Sequence, residues 1–212
     1  MKTIWRWLRR GLIALLLIFT AYQLWFLGHI IFWNTFNPVG TRFMAIRLDE
    51  LQEKTPAAEL KQQWAPYEKI SIHLKHAIIA AEDAKFVDHE GFDWEGMQKA
   101  IEKNQRKGRF AAGGSTISQQ LAKNLFLSPA KTPWRKGQEA IITLMLENIL
   151  SKQRIFEIYL NVVEWGNGVF GAEAAARHYY GGSAAQLGPA QAAKLAAMLP
   201  NPRFYDRNRS AP

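Results

Sequence analysis

TPWRKGQEAIITLMLENIL, Thr132 to Leu150, decides the fold class of this chain. Thr132 is a cap residue, and Pro133 takes the first helical position, where an N–H would have no partner anyway. From Ala140 the segment is apolar nearly all round, as in a helix that runs through a core. Arg135 and Lys136 fall in its first turn, where the helix dipole disfavours cations. Glu139 follows Arg135 by four residues and Lys136 by three, so it lies beside both. A local ion pair that softens two misplaced charges is one reading. A functional carboxylate is the other, since broken local rules collect at functional sites.

The flanking segments extend the helical pattern. Ile70, Leu74, Ala77, Ile78 and Ala81 form one apolar stripe at helical spacing, with Glu82 at its end. DWEGMQKAIEKNQRKG predicts a helix capped by Asp93, with Met97, Ala100 and Ile101 facing inward. In STISQQLAKNLFL the apolar line is Ile117, Leu121 and Leu125, and Thr116 and Gln119 have capping-box spacing. RFMAIRLDELQEK, SKQRIFEIYLNVVEWG, GAEAAARHYYGG and GPAQAAKLAAMLPNP predict further helices. GNGVFG, Gly166 to Gly171, matches the dinucleotide fingerprint G-x-G-x-x-G. The segment before it has helical period and no acidic residue follows about 20 positions later, so a helix–helix turn is expected instead. With no strand-turn-strand pattern and no internal repeat, the fold class is mostly α.

The 212 residues allow one main domain, with ordinary proportions of hydrophobic (48%) and charged (21%) residues. The net charge of +9 suggests an anionic partner. The basic residues are scattered without a nucleic-acid motif, so nucleic acid is set aside. Without cysteine there are no disulfides or thiolate metal sites. Gly11 to Trp33 contains no Asp, Glu, Lys or Arg. A helix of that length rises roughly 34 Å, enough for a bilayer core of about 30 Å. Lys2, Arg6, Arg9 and Arg10 precede it, which predicts a cytoplasmic N-terminus and a domain across the membrane. No small-x-small cleavage site stands before NTFNPVG, so an uncleaved anchor is expected, with His29 near its far interface. The expected organisation is a basic segment (1–10), an anchor (11–33), a membrane-proximal linker or jaw (34–69) and a core (70–212).

Three stretches carry chemistry. AEDAKFVDHEG, Ala81 to Gly91, packs four carboxylates and a histidine behind an apolar helix. It reads as an acid/base site, a metal cage or a solvated turn. GGSTISQQLAKN, Gly113 to Asn124, is a glycine-rich loop opening a helix, a place that suits an anion. Gln119, Gln120 and Lys123 are spaced to share one side of that helix, and Arg109 stands just before it. WRKGQEA supplies Arg135, Lys136 and Glu139. Paired carboxylates suit acid/base work at sugars, and clustered cations with helix N-termini suit a departing phosphate. Together they suggest a glycosyl group leaving a diphosphate.

EDAKFVDHEG, GGSTISQQLAKN, RKGQEAIITLMLE, KQRIFEIYLN and GVFGAEAAARHYY, in that order, resemble the monofunctional biosynthetic peptidoglycan glycosyltransferases. The same domain type opens the bifunctional penicillin-binding proteins. The resemblance implies a lysozyme-like α domain behind a single transmembrane helix in the bacterial inner membrane, with the catalytic domain periplasmic. It implies polymerisation of lipid II with inversion to β-1,4 linkages and release of undecaprenyl diphosphate. Glu82 would be the general base, and Glu139 would assist at the donor. Lys123, Arg135, Lys136 and Arg109 would bind the diphosphate. Gly114, Ser115, Thr116, Gln119, Gln120 and Asn124 would shape the site, and Asp83, Phe86, His89 and Gly91 would fix the loop after Glu82. A transient Mg²⁺ or Mn²⁺ at Glu139 is expected, and no organic cofactor. The implied partners are lipid II, the nascent glycan strand, membrane lipids and proteins of wall synthesis or division. The absence of a transpeptidase region implies no penicillin binding. The alternatives are an anchored lytic enzyme of lysozyme-like fold, which would not need the cation clusters, and a non-catalytic scaffold.

Overall fold

A computed structural model describes residues 2–108 and 113–208. The N-terminal helix α1 (Lys2–Trp33) is long and apolar enough to cross a membrane, with a mean hydropathy of 1.9 in its span. Most of it is exposed, but Phe26, Ile30 and Trp33 at its C-terminal end are buried against the domain. There Phe26 and Trp33 pack on Phe126.

The domain is built from α2 (Arg42–Gln52), α3 (Ile72–Glu82), α4 (Trp94–Lys107), α5 (Ile117–Phe126), α6 (Pro133–Ile149), α7 (Lys152–Val162), α8 (Ala172–Tyr180), α9 (Pro189–Met198) and α10 (Pro202–Arg207). The central helix is α5. It packs against α2, α6 and α7, and its Ile117, Leu121, Ala122 and Leu125 are buried. Thr116 caps it as a complete capping box with Gln119. Thr132 caps α6 with Pro133 in its first turn, as expected. Only one side of α6 is buried, through Ile142, Thr143 and Leu146, while Leu144 is exposed. Likewise α4 buries Ala100 but leaves Ile101 57% exposed, against expectation. Too few neighbouring elements cover α4 to bury its whole apolar stripe.

The mostly helical expectation holds, but a strand-turn-strand does occur where none was expected. β1 (Lys61–Gln62), β2 (Glu164–Gly166) and β3 (Val169–Phe170) form a small sheet in the order β1-β3-β2. β2 and β3 pair antiparallel around a bulge, and β1 joins β3 in parallel. GNGVFG is therefore half of a β-hairpin, not a helix–helix turn, and α7 stops at Val162 before EWG. Gly168, at φ +74°, supplies the left-handed conformation that an Asn-Gly hairpin turn requires. The segment 34–69 is built into the same core. Phe43, Met44 and Ala65 are buried, and Asn161 on α7 bonds both the N–H and the carbonyl of Ala65.

Candidate active site

Glu82 is the last residue of α3 and is half-buried. Its Oε2 accepts a 2.7 Å bond from Gln120 Nε2, and Gln120 Oε1 accepts a 3.1 Å bond from the Tyr159 hydroxyl. Tyr159 is fully buried. Burial, helped by the charges of Glu82 and Asp83, pushes its phenol well above the usual range, so it stays a proton donor. Glu82 has no salt bridge among the described residues. It lines a groove of about 220 Å³ between the end of α3, the start of α4 and the loop 113–116.

The loop after Glu82 is pinned by its own motif. Buried Asp83 accepts bonds from His89 Nε2 (2.9 Å) and from the backbone N–H of Ile117 (3.0 Å), so it also holds the start of α5. Gly91 N–H donates to His89 Nδ1 at 3.1 Å. That bond leaves the ring proton on Nε2, pointing at Asp83. Gly91 sits at φ +90°, where a Cβ would lie 2.8 Å from Thr143 Cγ2. Its carbonyl accepts a 2.7 Å bond from Thr116 Oγ1. Phe86 is buried against Phe156, with the Lys152 ammonium 4.7 Å from its ring. Asp88 and Glu90 are exposed.

The second carboxylate has different surroundings. Glu139 is 2% exposed, and its two oxygens are held separately by Arg135 Nη1 and Lys136 Nζ. Lys136 Nζ also reaches Ser115 Oγ at 3.3 Å, which ties α6 to the glycine-rich loop. Lys123 stands on α5 within electrostatic reach of Glu139 and Glu82. Burial lowers its proton affinity; Glu139 and Glu82 oppose that, while Arg135 and Lys136 add to it, and the net shift is downward.

The structure thus brings Glu82, Gln120, Ser115 and Lys123 together with the Glu139 cluster. Gly114 lines the groove, and Asn124 lines a neighbouring polar cavity with Gln120 and Lys123. Gln119 is not on that side. It is buried and spent on the cap, where its Oε1 accepts the Thr116 N–H. Arg109 lies outside the described residues. No group of three or more His, Asp or Glu suited to a metal occurs among the described residues. Each Glu139 oxygen accepts a bond from one cation, so a divalent ion at this carboxylate would share it with Arg135 and Lys136.

A model of the transglycosylase family matches residues 49–212. The chain belongs to the transglycosylase family. It is similar to proteins named biosynthetic peptidoglycan transglycosylase. The one from Dechloromonas aromatica (strain RCB) is 74% identical over 211 residues, covering 100% of this chain and 91% of the relative. Those from Azoarcus sp. (strain BH72) and Aromatoleum aromaticum (strain DSM 19018 / LMG 30748 / EbN1) are 64% and 63% identical, each over 98% of this chain and 90% of the relative.

Several parts of this transglycosylase site escape a reading of the sequence. Tyr159 orients Gln120 from α7, 39 residues away. Glu147 accepts bonds from Ser118 and Lys152, and Lys152 Nζ also donates to the His89 carbonyl, so α5, α6, α7 and the first loop share one buried cluster. In the neighbouring polar cavity, buried Glu164 is held by Arg47 of α2 at 3.2 Å. A tyrosine or carboxylate placed among buried apolar positions is the signal for each. It says that a partner exists without saying where.

Proposed function

We propose that this transglycosylase polymerises peptidoglycan glycan strands, with lipid II as donor and acceptor. Glu82 takes the proton of the acceptor sugar's 4-hydroxyl as that oxygen attacks the anomeric carbon of the donor. The bond to the diphosphate breaks, the electron pair leaves with undecaprenyl diphosphate, and a β-1,4 link forms with inversion. Lys123, Arg135 and Lys136 neutralise the leaving diphosphate. Glu139 holds two of these cations in place.

The observation that carries this reading is the division between the carboxylates. Among the described residues Glu82 faces a groove and is held by an amide, whereas Glu139 is buried among cations. A hydrolytic lytic enzyme has no use for the second arrangement, because no diphosphate leaves. The biosynthetic relatives favour the same side.

Four basic residues precede the apolar run, which supports a cytoplasmic N-terminus and a periplasmic domain in the inner membrane. Burial of Phe26, Ile30 and Trp33 in the domain supports a retained anchor, since a cleaved leader would leave that surface bare. Lipid II, the nascent strand and membrane lipids are the partners this reading requires; proteins of wall synthesis or division are further candidates.

The deciding experiment incubates the detergent-solubilised protein with labelled lipid II and resolves the products on a gel. A polymer ladder from wild type, absent with Glu82→Gln, is the expected result. Soluble muropeptides released from purified sacculi, without polymer, would move the reading to the lytic alternative.

A further inference from the structure

The apolar run of α1 contains one amide side chain, Gln23. It lies thirteen residues beyond Arg10, roughly 20 Å along the helix. It falls in the stretch of α1 that packs on the domain, between Phe19 and Phe26. An amide in a packed helix–helix contact needs a protein partner.

Its partner is Gln138 on α6. Gln23 Nε2 donates to Gln138 Oε1 at 3.1 Å, and Gln138 Nε2 donates back to Gln23 Oε1 at 2.8 Å. Gln138 is 3% exposed. One turn earlier on α6, Trp134 meets Phe19 of α1 edge-on at 6.5 Å. Trp134 and Gln138 therefore mark the side of α6 that faces the anchor. Glu139 is the next residue, turned about 100° around the helix. That turn carries it to Arg135, Lys136 and the Lys123 side of the site.

Apolar contacts between two helices tolerate small rotations, whereas a reciprocal amide pair has one geometry. We propose that Gln23, inside the membrane anchor, is a positioning residue for glycosyl transfer. Its bonds to Gln138 fix the rotation of α6, and so aim Glu139 with its two cations at the leaving diphosphate. The inference rests on the donor-side reading of Glu139 given above.

The test uses the full chain in lipid nanodiscs, with labelled lipid II as substrate. Gln23→Leu is expected to lower kcat roughly three- to tenfold, since small misplacements of catalytic groups are costly. KM for lipid II should stay near wild type, while the melting temperature falls because Gln138 is left buried and unpaired, so kcat is taken per folded protein. Gln23→Leu/Gln138→Leu, which leaves no amide unpaired, should be as slow as the single variant, because the directional bond is still missing. Wild-type kcat in Gln23→Leu overturns the proposal. So does recovery of kcat in the double variant, which would make the pair simple adhesion, or a slow kcat matched by an equal loss of folded protein. If Gln23→Leu does not accumulate, the double variant carries the same test. Glu139→Gln in the same assay separates the two readings. Full activity there removes the donor-side role, whereas an impaired Glu139→Gln beside a fully active Gln23→Leu removes only the role of Gln23.

Discussion

Glu82 on α3 and Glu139 on α6 both flank α5, yet the protein treats them as opposites. Glu82 ends a helix, faces a groove and, among the described residues, is held by a neutral amide. Glu139 lies inside a helix, is buried, and has a cation on each oxygen. A carboxylate with a cation on each oxygen serves as a clamp. A carboxylate that faces a groove and is steadied by an amide is open to substrate. The two environments suit the base and the electrostatic scaffold of the proposed reaction.

The strongest way to break this comparison is Glu82→Gln. It keeps the shape of the side chain and removes the base, so the polymerisation rate should fall roughly 10²- to 10⁴-fold with folding intact. A rate near wild type in a gel assay would end the assignment. Lys123→Ala should cost somewhat less, roughly 10²-fold in kcat/KM, by removing one stabiliser of the leaving charge.

The pH dependence sharpens the comparison from the cation side. The Lys123 ammonium is present below its pKa and is lost as pH rises through it. Because burial moves that pKa down, the alkaline limb of kcat/KM should fall at lower pH than an ordinary lysine would give. Lys123→Arg, which keeps its charge, should move that limb upward; an unmoved limb in the pH profile would mean that another group sets it.

Glu139→Gln should act on stability as well as rate. It leaves Arg135 and Lys136 without their counter-charge, at about 1–3 kcal/mol in chemical denaturation. That is less than for a fully enclosed pair, because half-exposed Lys136 is screened by solvent. A rate loss as large as that of Glu82→Gln, with stability unchanged, would erase the distinction between the carboxylates. The last variant, Gly91→Ala, should affect only the frame. Its Cβ meets Thr143 at a backbone angle that favours glycine, so the protein should lose roughly 1–3 kcal/mol, seen as a lower melting temperature.

The two carboxylates differ also in how far the sequence discloses them. The caps at Thr116 and Thr132, the apolar line of α5 and the Arg135–Lys136–Glu139 triplet are local patterns, readable because helical neighbours are three and four residues apart. The hairpin is hidden because strands of two and three residues are too short to alternate. Its Asn167-Gly168 turn does stand in the text, masked by the G-x-G-x-x-G match. The surroundings of Glu82 depend on contacts across 38 and 39 residues, through Gln120 and Tyr159. The Gln23–Gln138 pair spans 115. Periodicity shows which face of a helix is buried, but it does not show which helix lies opposite. Ile101 marks the same limit in reverse, an apolar position read as inward-facing that stays exposed because the described elements do not fully cover its helix.

The Tyr159–Gln120–Glu82 chain has a direction. Each bond donates toward Glu82, and Tyr159 keeps its own proton. A proton that Glu82 gains from an acceptor sugar meets an N–H on its inner side and finds no lone pair there to receive it. Its exit is outward, through the groove to bulk water. Under the role proposed for Glu82, each addition to the strand leaves one such proton, and the donors behind the carboxylate turn it toward the groove like a one-way valve.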